Sequence, residues 1–300
     1  MARYVPVESG NPHWYTRDGG KRYDADLRVA RKEGLLPGSS AISKVLAKPA
    51  LEAWKSNELL TTLYRMMMNP DEAKMAAEPL EAFFERVVAE SKKPVAEAAD
   101  RGQRYHYIME QHLLGETSLD PYSFDPSVQA AISWTDKHLA GSDQGGHPEE
   151  VLMNLEDGYG GRTDYRGPYF DGLTSQVVIA DYKSRKVVMT DYKKKENRPD
   201  PQFYDEDLIQ LMSHARSLWE QHGVMANGVI SVIISTGPVP GCYQKFWSKE
   251  DMERGAAMWE AAHALWRLIR RFPYEHGQME LGLLSAEDLR RSDVAQEVAG

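Results

Sequence analysis

The segment VLMNLEDGYGGRTDYRGPYFDGLTSQVVIADYKSRK, residues 151–186, decides the fold. Its first part, VLMNLEDGYGGRTDYRG, reads as two strands joined at Asp157-Gly158, a dipeptide suited to a tight hairpin turn. VVIADYK, at 177–183, is rich in β-branched residues and ends in polar ones, which reads as a third strand. RGPYFDGLTSQ between them reads as an enlarged loop. Downstream, GVISVIIST at 228–236 is an apolar run short enough for a buried strand, and YQKFW at 243–247 reads as the last strand. Residues 204–222 form a helix with acids in the first turn and an apolar stripe of Leu208, Leu211, Met212, Ala215 and Leu218. Ser248 to Asp251 makes a capping box for a helix running to about Arg271.

Upstream of this region the text is helical. SSAISKVLAKPALEAWKSNELLTTLYRMMM, at 39–68, offers serine caps, near-helical apolar spacing and a helix-starting Pro49, and 80–93, 95–114 and 126–140 continue as helices. The expected organisation is an irregular N-terminal arm over 1–38, a helical subdomain over 39–140, an α/β core over 141–272 and a peripheral tail over 273–300. The fold class is α/β, with a central mixed sheet from about residue 150 to 247, flanked by helices, and a helical N-terminal half closing over one side.

A chain of 300 residues with 42% hydrophobic side chains can bury a substantial core. Its single cysteine, Cys242, excludes a disulfide framework, a Cys-rich zinc site or a four-cysteine iron–sulfur cluster within one chain. No apolar stretch approaches the length of a membrane span and no signal-peptide core opens the sequence, so a cytoplasmic location and no membrane partner are expected. The net charge of −9 argues mildly against nonspecific coating of nucleic acid. Local charge differs: between Lys183 and Arg198 lie Lys183, Arg185, Lys186, Lys193, Lys194, Lys195 and Arg198 against Asp191 and Glu196, either a phosphate-facing patch or a solvated hairpin rim.

The candidate chemistry sits on the third strand. Residues two apart share a face, so Asp181 and Lys183 project together while Tyr182 points away. Asp164 lies near the end of the preceding strand, where antiparallel pairing can bring its carboxylate beside Asp181. Hydrolysing a phosphodiester requires charge neutralisation, an activated water and a stabilised leaving oxygen, which Mg²⁺ or Mn²⁺ supplies. Asp164, Asp181 and the Tyr182 carbonyl suit such a hard cation, and Lys183 is placed to orient the attacking water or help deprotonate it. Taken alone, Asp-x-Lys equally describes a salt-bridged strand end. The tripeptide also recurs at 191–193, further from Asp164.

The ordered combination is more specific. Gly102-x-x-x-His106, Gly161-Arg162-Thr163-Asp164, an apolar run into Asp181-Tyr182-Lys183, and then Gln210 in DLIQLMSHA resembles the RecB-like branch of the PD-(D/E)XK nucleases. Within it the chain is most similar to phage-encoded exonucleases and the mitochondrial genome maintenance exonuclease. The likeness includes LLPGSSAISKVLAKPALEAWK and spans most of 35–271. It implies a restriction-endonuclease-like core, a Mg²⁺- or Mn²⁺-dependent deoxyribonuclease acting more as an exonuclease than an endonuclease, DNA as partner, and, for a phage protein, a recombination partner in the bacterial host cytosol. Asp164 and Asp181 are then metal ligands, Lys183 the catalytic lysine and His106 a further ligand, although a helical histidine between Tyr105 and Tyr107 is also a common packing residue. Gly102 leaves room for a metal or phosphate. Glu150 supports the ligands from behind, with Glu149 and Glu156 equally available by sequence, and Gln210 positions the site or a phosphate. Ser40, Lys44, Arg185 and Lys186 are the candidate DNA contacts. His214 departs from the pattern, standing where the family often carries tyrosine. Two other functions fit the residues less fully: a non-catalytic DNA-binding recombination accessory that keeps the nuclease fold, and an enzyme acting on a different phosphate ester.

Overall fold

The computed structural model describes residues 14–46, 48–74, 78–190 and 198–272. The tail from 273, Lys193, Lys194 and Lys195 of the basic run, and the second Asp-Tyr-Lys lie outside them. The chain opens with β1 (Trp14–Tyr15), β2 (Lys21–Arg22), α1 (Leu27–Glu33) and β3 (Leu36–Pro37). The three strands form a small antiparallel sheet in the order β2-β1-β3, so the described part of the N-terminal arm is ordered rather than irregular. Two-residue strands are too short to show alternation, which hides them from a periodicity reading. Trp14 holds this cap in place by packing against Trp266 and stacking on Phe272.

Four helices follow: α2 (Ser39–Ser43), α3 (Pro49–Met68), α4 (Leu80–Leu113) and α5 (Pro126–His138). α4 is a single 34-residue helix that runs through Pro94, where two helices were expected. Proline forfeits one backbone hydrogen bond without compelling a break, and α4 buries Phe83 and Val87 before Pro94 and Tyr105, Ile108 and Met109 after it, so packing on both sides holds it continuous.

The core contains β4 (His147–Pro148), β5 (Val151–Asn154), β6 (Tyr159–Arg162), β7 (Tyr165–Phe170), β8 (Ser175–Arg185), α6 (Asp205–His222), β9 (Gly228–Ser235), β10 (Cys242–Phe246) and α7 (Lys249–Arg270). The sheet has five strands in the order β10-β9-β8-β7-β4, with β8 and β9 parallel and the other pairs antiparallel. It is the mixed α/β architecture expected from the strand pattern. β9 is buried along its whole length, which explains its unbroken apolar text.

Two local readings change. β5 and β6 form the expected hairpin around Gly158, but as a separate two-stranded ladder and not as part of the main sheet. RGPYFDGLTSQ is no loop: most of it is β7, its turn, and the start of β8, paired from Tyr165↔Ala180 to Phe170↔Ser175. Gly167, Pro168 and Gly172 disguise it. A proline is tolerated because β4 pairs with β7 only at Tyr165 and Arg166, leaving little ladder on the outer side.

Alternation along β8 organises both layers. Val178, Ala180 and Tyr182 enter one core with Tyr105, Ile108 and Met109 of α4 and Val128 and Ala131 of α5. Ile179 enters the other with Leu208, Leu211 and Leu218 of α6 and Trp247. Asp181 and Lys183 continue the second parity and face α6.

Candidate metal centre

Asp164 occupies the corner between β6 and β7 rather than a strand paired with β8. Its Oδ2 accepts the Tyr182 backbone N–H at 2.7 Å, which fixes the carboxylate against β8 one residue from Asp181. His106 reaches the same oxygen from α4, with Nδ1 at 3.2 Å. The helix comes this close because residue 102 is glycine: a β-carbon there would stand 2.8 Å from Ser184 Oγ. Gly102 therefore lets α4 dock closely on β8.

Glu149 completes the group. Its ligand oxygen, the His106 nitrogen and an Asp164 oxygen all lie within 4.8 Å of one another. Glu149 adopts a φ of 53°, rare for a residue with a side chain, and its N–H donates to the Asp164 carbonyl at 3.1 Å. This left-handed step separates β4 from β5 and turns adjacent glutamates in different directions. Glu150 faces Arg166 and, at 3.2 Å, His222. The acid behind the ligands was expected at Glu150, whereas the structure brings Glu149 to the centre. Strand parity could not have separated them, because the backbone is not a strand there.

Asp181 stands beside this trio, buried, and is engaged by Lys183, whose Nζ is 2.8 Å from Oδ1 and 2.6 Å from Oδ2. Only the first contact has hydrogen-bond direction, so Oδ2 is buried without a hydrogen-bond donor. The Lys183 ammonium also donates to Gln210 Oε1 at 3.2 Å. Lys183 and Gln210 are thus brought together from β8 and α6, as His106 and Asp164 are from α4 and the β6–β7 corner. Tyr182 turns its ring to the opposite core, where its hydroxyl meets Thr135 at 2.8 Å.

The electrostatics are those of a site short of positive charge. Burial, reinforced by Asp164, pushes Glu149 up to about 7 against the pull of Arg162 and His106. Burial likewise pushes Asp181 up to about 7, with Asp164 and Asp207 adding to it and Lys183 opposing. Burial also works against ionised Asp164, but His106, Lys183 and the Tyr182 N–H overcome it and hold Asp164 well below the usual carboxylate range. For His106 and Lys183 burial favours the neutral form, and the surrounding carboxylates outweigh it, raising both. Glu149 Oε2 is a second buried oxygen without a hydrogen bond, although the Arg162 Nε lies 2.6 Å away. Hard oxygens short of donors, plus one imidazole, fit a divalent cation. His106, Glu149 and Asp164 are the residues placed to hold it, with Asp181 alongside.

The candidate DNA contacts are scattered. Arg185 is committed elsewhere, paired through two hydrogen bonds of 2.7 and 2.6 Å with Asp207 and lying over the Tyr204 ring. Lys186 is exposed beyond β8, Lys44 is exposed at the end of α2, and Ser40 is half-buried in α2. His214 is fully buried on α6 with both ring nitrogens lacking hydrogen bonds, and burial pushes it down to about 4. Its ring packs so tightly on β6 that a β-carbon on Gly161 would stand 2.6 Å from Cε1.

No family model matches the chain. No curated protein matches it either. Among solved structures it is similar to the crystal structure of a "Putative exonuclease" from Eubacterium rectale, at 14% identity over 73% of this chain and 78% of that one, with a TM-score of 0.34. Among the described residues, no helix is long and apolar enough to cross a membrane.

Proposed function

We propose that this chain is a metal-dependent deoxyribonuclease of the PD-(D/E)XK type that hydrolyses phosphodiester bonds, acting from strand ends. The observation that carries the reading is the convergence of His106, Glu149 and Asp164 within 4.8 Å of one another, next to the buried Asp181–Lys183 pair. The motif order supports it from the sequence, and the preference for ends rests on that resemblance alone.

A Mg²⁺ or Mn²⁺ ion held by His106, Glu149 and Asp164 would supply positive charge to the phosphate and lower the pKa of a water. The chain's own residues do the rest. Asp164 is clamped by the Tyr182 N–H and His106, so it stays ionised and fixed in place. Lys183 keeps its proton, because Asp181, Asp207 and Asp164 stabilise the ammonium. That makes it a hydrogen-bond donor to an attacking water or a phosphate oxygen rather than a base. Gln210 restrains the lysine from the α6 side, and Asp181 holds its ammonium from within β8.

The test is digestion of end-labelled linear DNA and of closed circular DNA with Mg²⁺, with and without chelator. Chelator-sensitive loss of the linear form with the circle intact is the expected result. Cutting of the circle removes the exonuclease assignment, DNA binding without cleavage favours the non-catalytic accessory, and neither binding nor cleavage overturns the reading.

A further inference from the structure

One guanidinium at the centre is held differently from its neighbours. Arg166 grips Glu150 and Arg185 grips Asp207, each through two hydrogen bonds. Arg104 holds Asp120 in the same way. Arg162, the last residue of β6, approaches Glu149 with Nε 2.6 Å from Oε2, yet that oxygen receives no hydrogen bond. The contact is an ion pair without direction, and none of the guanidinium N–H donors meets an acceptor among the described residues.

Backbone pairing puts it there. The Thr163 N–H donates to the Glu150 carbonyl at 2.9 Å and the Glu149 N–H to the Asp164 carbonyl at 3.1 Å, so the β5–β6 pairing runs on past Arg162 and carries its side chain to Glu149. The glutamate side chain is 9% exposed and the arginine's 43%, so the carboxylate is enclosed while the arginine reaches solvent. One carboxylate cannot neutralise two cations. When a divalent ion draws on Glu149, the ion, Lys183 and Arg162 bring four positive charges against three negative ones from Glu149, Asp164 and Asp181, with His106 neutral as a ligand. The surplus is a single positive charge, which one phosphodiester cancels.

We propose that Arg162 is a substrate-binding residue whose guanidinium takes one phosphate of the substrate strand beside the metal centre, while Glu149 sets where that guanidinium lies. This rests on the nuclease reading above. A guanidinium presents paired N–H donors that match two phosphate oxygens, so the contact fixes the orientation of the phosphate as well as answering its charge.

The experiment separates metal binding from strand binding. Calorimetry with Mg²⁺ alone should find Arg162→Gln binding the ion as tightly as the parent or more tightly, because a cation beside a ligand has gone. Anisotropy follows a labelled oligonucleotide, single-stranded and duplex, with Ca²⁺ in place of Mg²⁺. There Arg162→Gln should bind about 10-fold more weakly, the worth of one charged hydrogen bond. Arg162→Lys, which keeps the charge without the fork, should fall between. Oligonucleotides carrying one neutral methylphosphonate each then locate the contact: one position should weaken binding to the parent and leave Arg162→Gln unaffected. Lys249→Gln, at a highly exposed site on α7, should match the parent throughout. Should Arg162→Gln melt early, Arg162→Lys carries the same comparisons on a smaller scale. Oligonucleotide binding equal to the parent's, or a methylphosphonate response equal to the parent's at every position, overturns the proposal, and weaker Mg²⁺ binding then identifies Arg162 as a prop for Glu149. A parent that binds neither form of the oligonucleotide overturns it too. A parent that cleaves with Mg²⁺ but whose binding ignores Arg162 loses this proposal and keeps the nuclease reading. One that shows the Arg162-dependent phosphate but never cleaves keeps this contact and loses that reading.

Discussion

Lys183 and Asp181 lie two residues apart on one strand and contribute different things. Asp181 contributes anionic oxygen, one atom of it buried without a hydrogen bond, while Lys183 contributes a cation held by three carboxylates against the pull of burial. Lys183→Ala should cut cleavage by about 100-fold or more, the usual worth of one well-placed transition-state contact. Calorimetry should find metal binding equal or slightly tighter, because a competing cation has gone. Asp181→Asn should weaken metal binding and cleavage together. If Lys183→Ala cleaves normally, the lysine is only a salt-bridge partner. The glutamate pair gives a second residue-scale test. Glu149→Gln should raise the metal concentration needed for cleavage, whereas Glu150→Gln, which faces Arg166 and His222, should leave that concentration within about twofold, as loss of a partly exposed ion pair does. Identical metal titrations for Glu149→Gln and the parent would remove Glu149 from the centre. Asp181, Lys183 and Tyr182 were legible because a strand's period of two needs no tertiary information. Glu149 was not, because its orientation depends on a left-handed backbone step that no residue type advertises.

At the scale of elements, the centre depends on how β8 meets α6. Arg185 at the end of β8 grips Asp207 in the first turn of α6, and Asp207 also accepts the Tyr204 N–H at 3.3 Å. The aspartate side chain is 4% exposed and the arginine's 19%. Removing one partner leaves a nearly buried charge, so Asp207→Ala should destabilise by about 3 kcal/mol in urea unfolding. Arg185→Ala combined with Asp207→Ala should cost clearly less than the two single changes summed, since the second removes a charge that has already lost its partner. Strict additivity would show that the pair does not couple the elements. Both α6 and α7 were readable from caps and apolar stripes. β7 was not, since its glycines and proline imitate a loop and only pairing with β8 makes it a strand.

For the whole molecule, two buried histidines, His214 and His263, make stability depend on acid. His263 is pushed down to about 3 by burial, with Arg267 and Arg216 adding to the effect, and its ring stacks on Trp259. In the unfolded chain such a histidine titrates near 6.5. Above that pH both states are neutral and nothing is lost. Below it the unfolded state takes up a proton that the folded state refuses, so stability falls with pH until about 3. Glu149 and Asp181, both pushed up to about 7, act in the reverse sense over much of this window. The informative readout is therefore a difference: between pH 6.5 and 5, His263→Phe should lose about 2 kcal/mol less stability than the parent, at 1.4 kcal/mol per unit of pKa. Parallel pH curves for the two proteins would show that His263 does not resist protonation.

By itself the sequence determined that the chain carries an α/β core with a helical first half, and that Asp181 and Lys183 share a face beside a run of buried strands. These are consequences of local periodicity, which covalent geometry imposes on any strand or helix. Only the tertiary structure decided that His106 and Glu149 join Asp164 and that Arg185 is occupied by Asp207. Those facts depend on which groups from distant elements arrive within a few ångströms of each other. Charge pairing and desolvation act through that distance, and separation along the chain does not encode it.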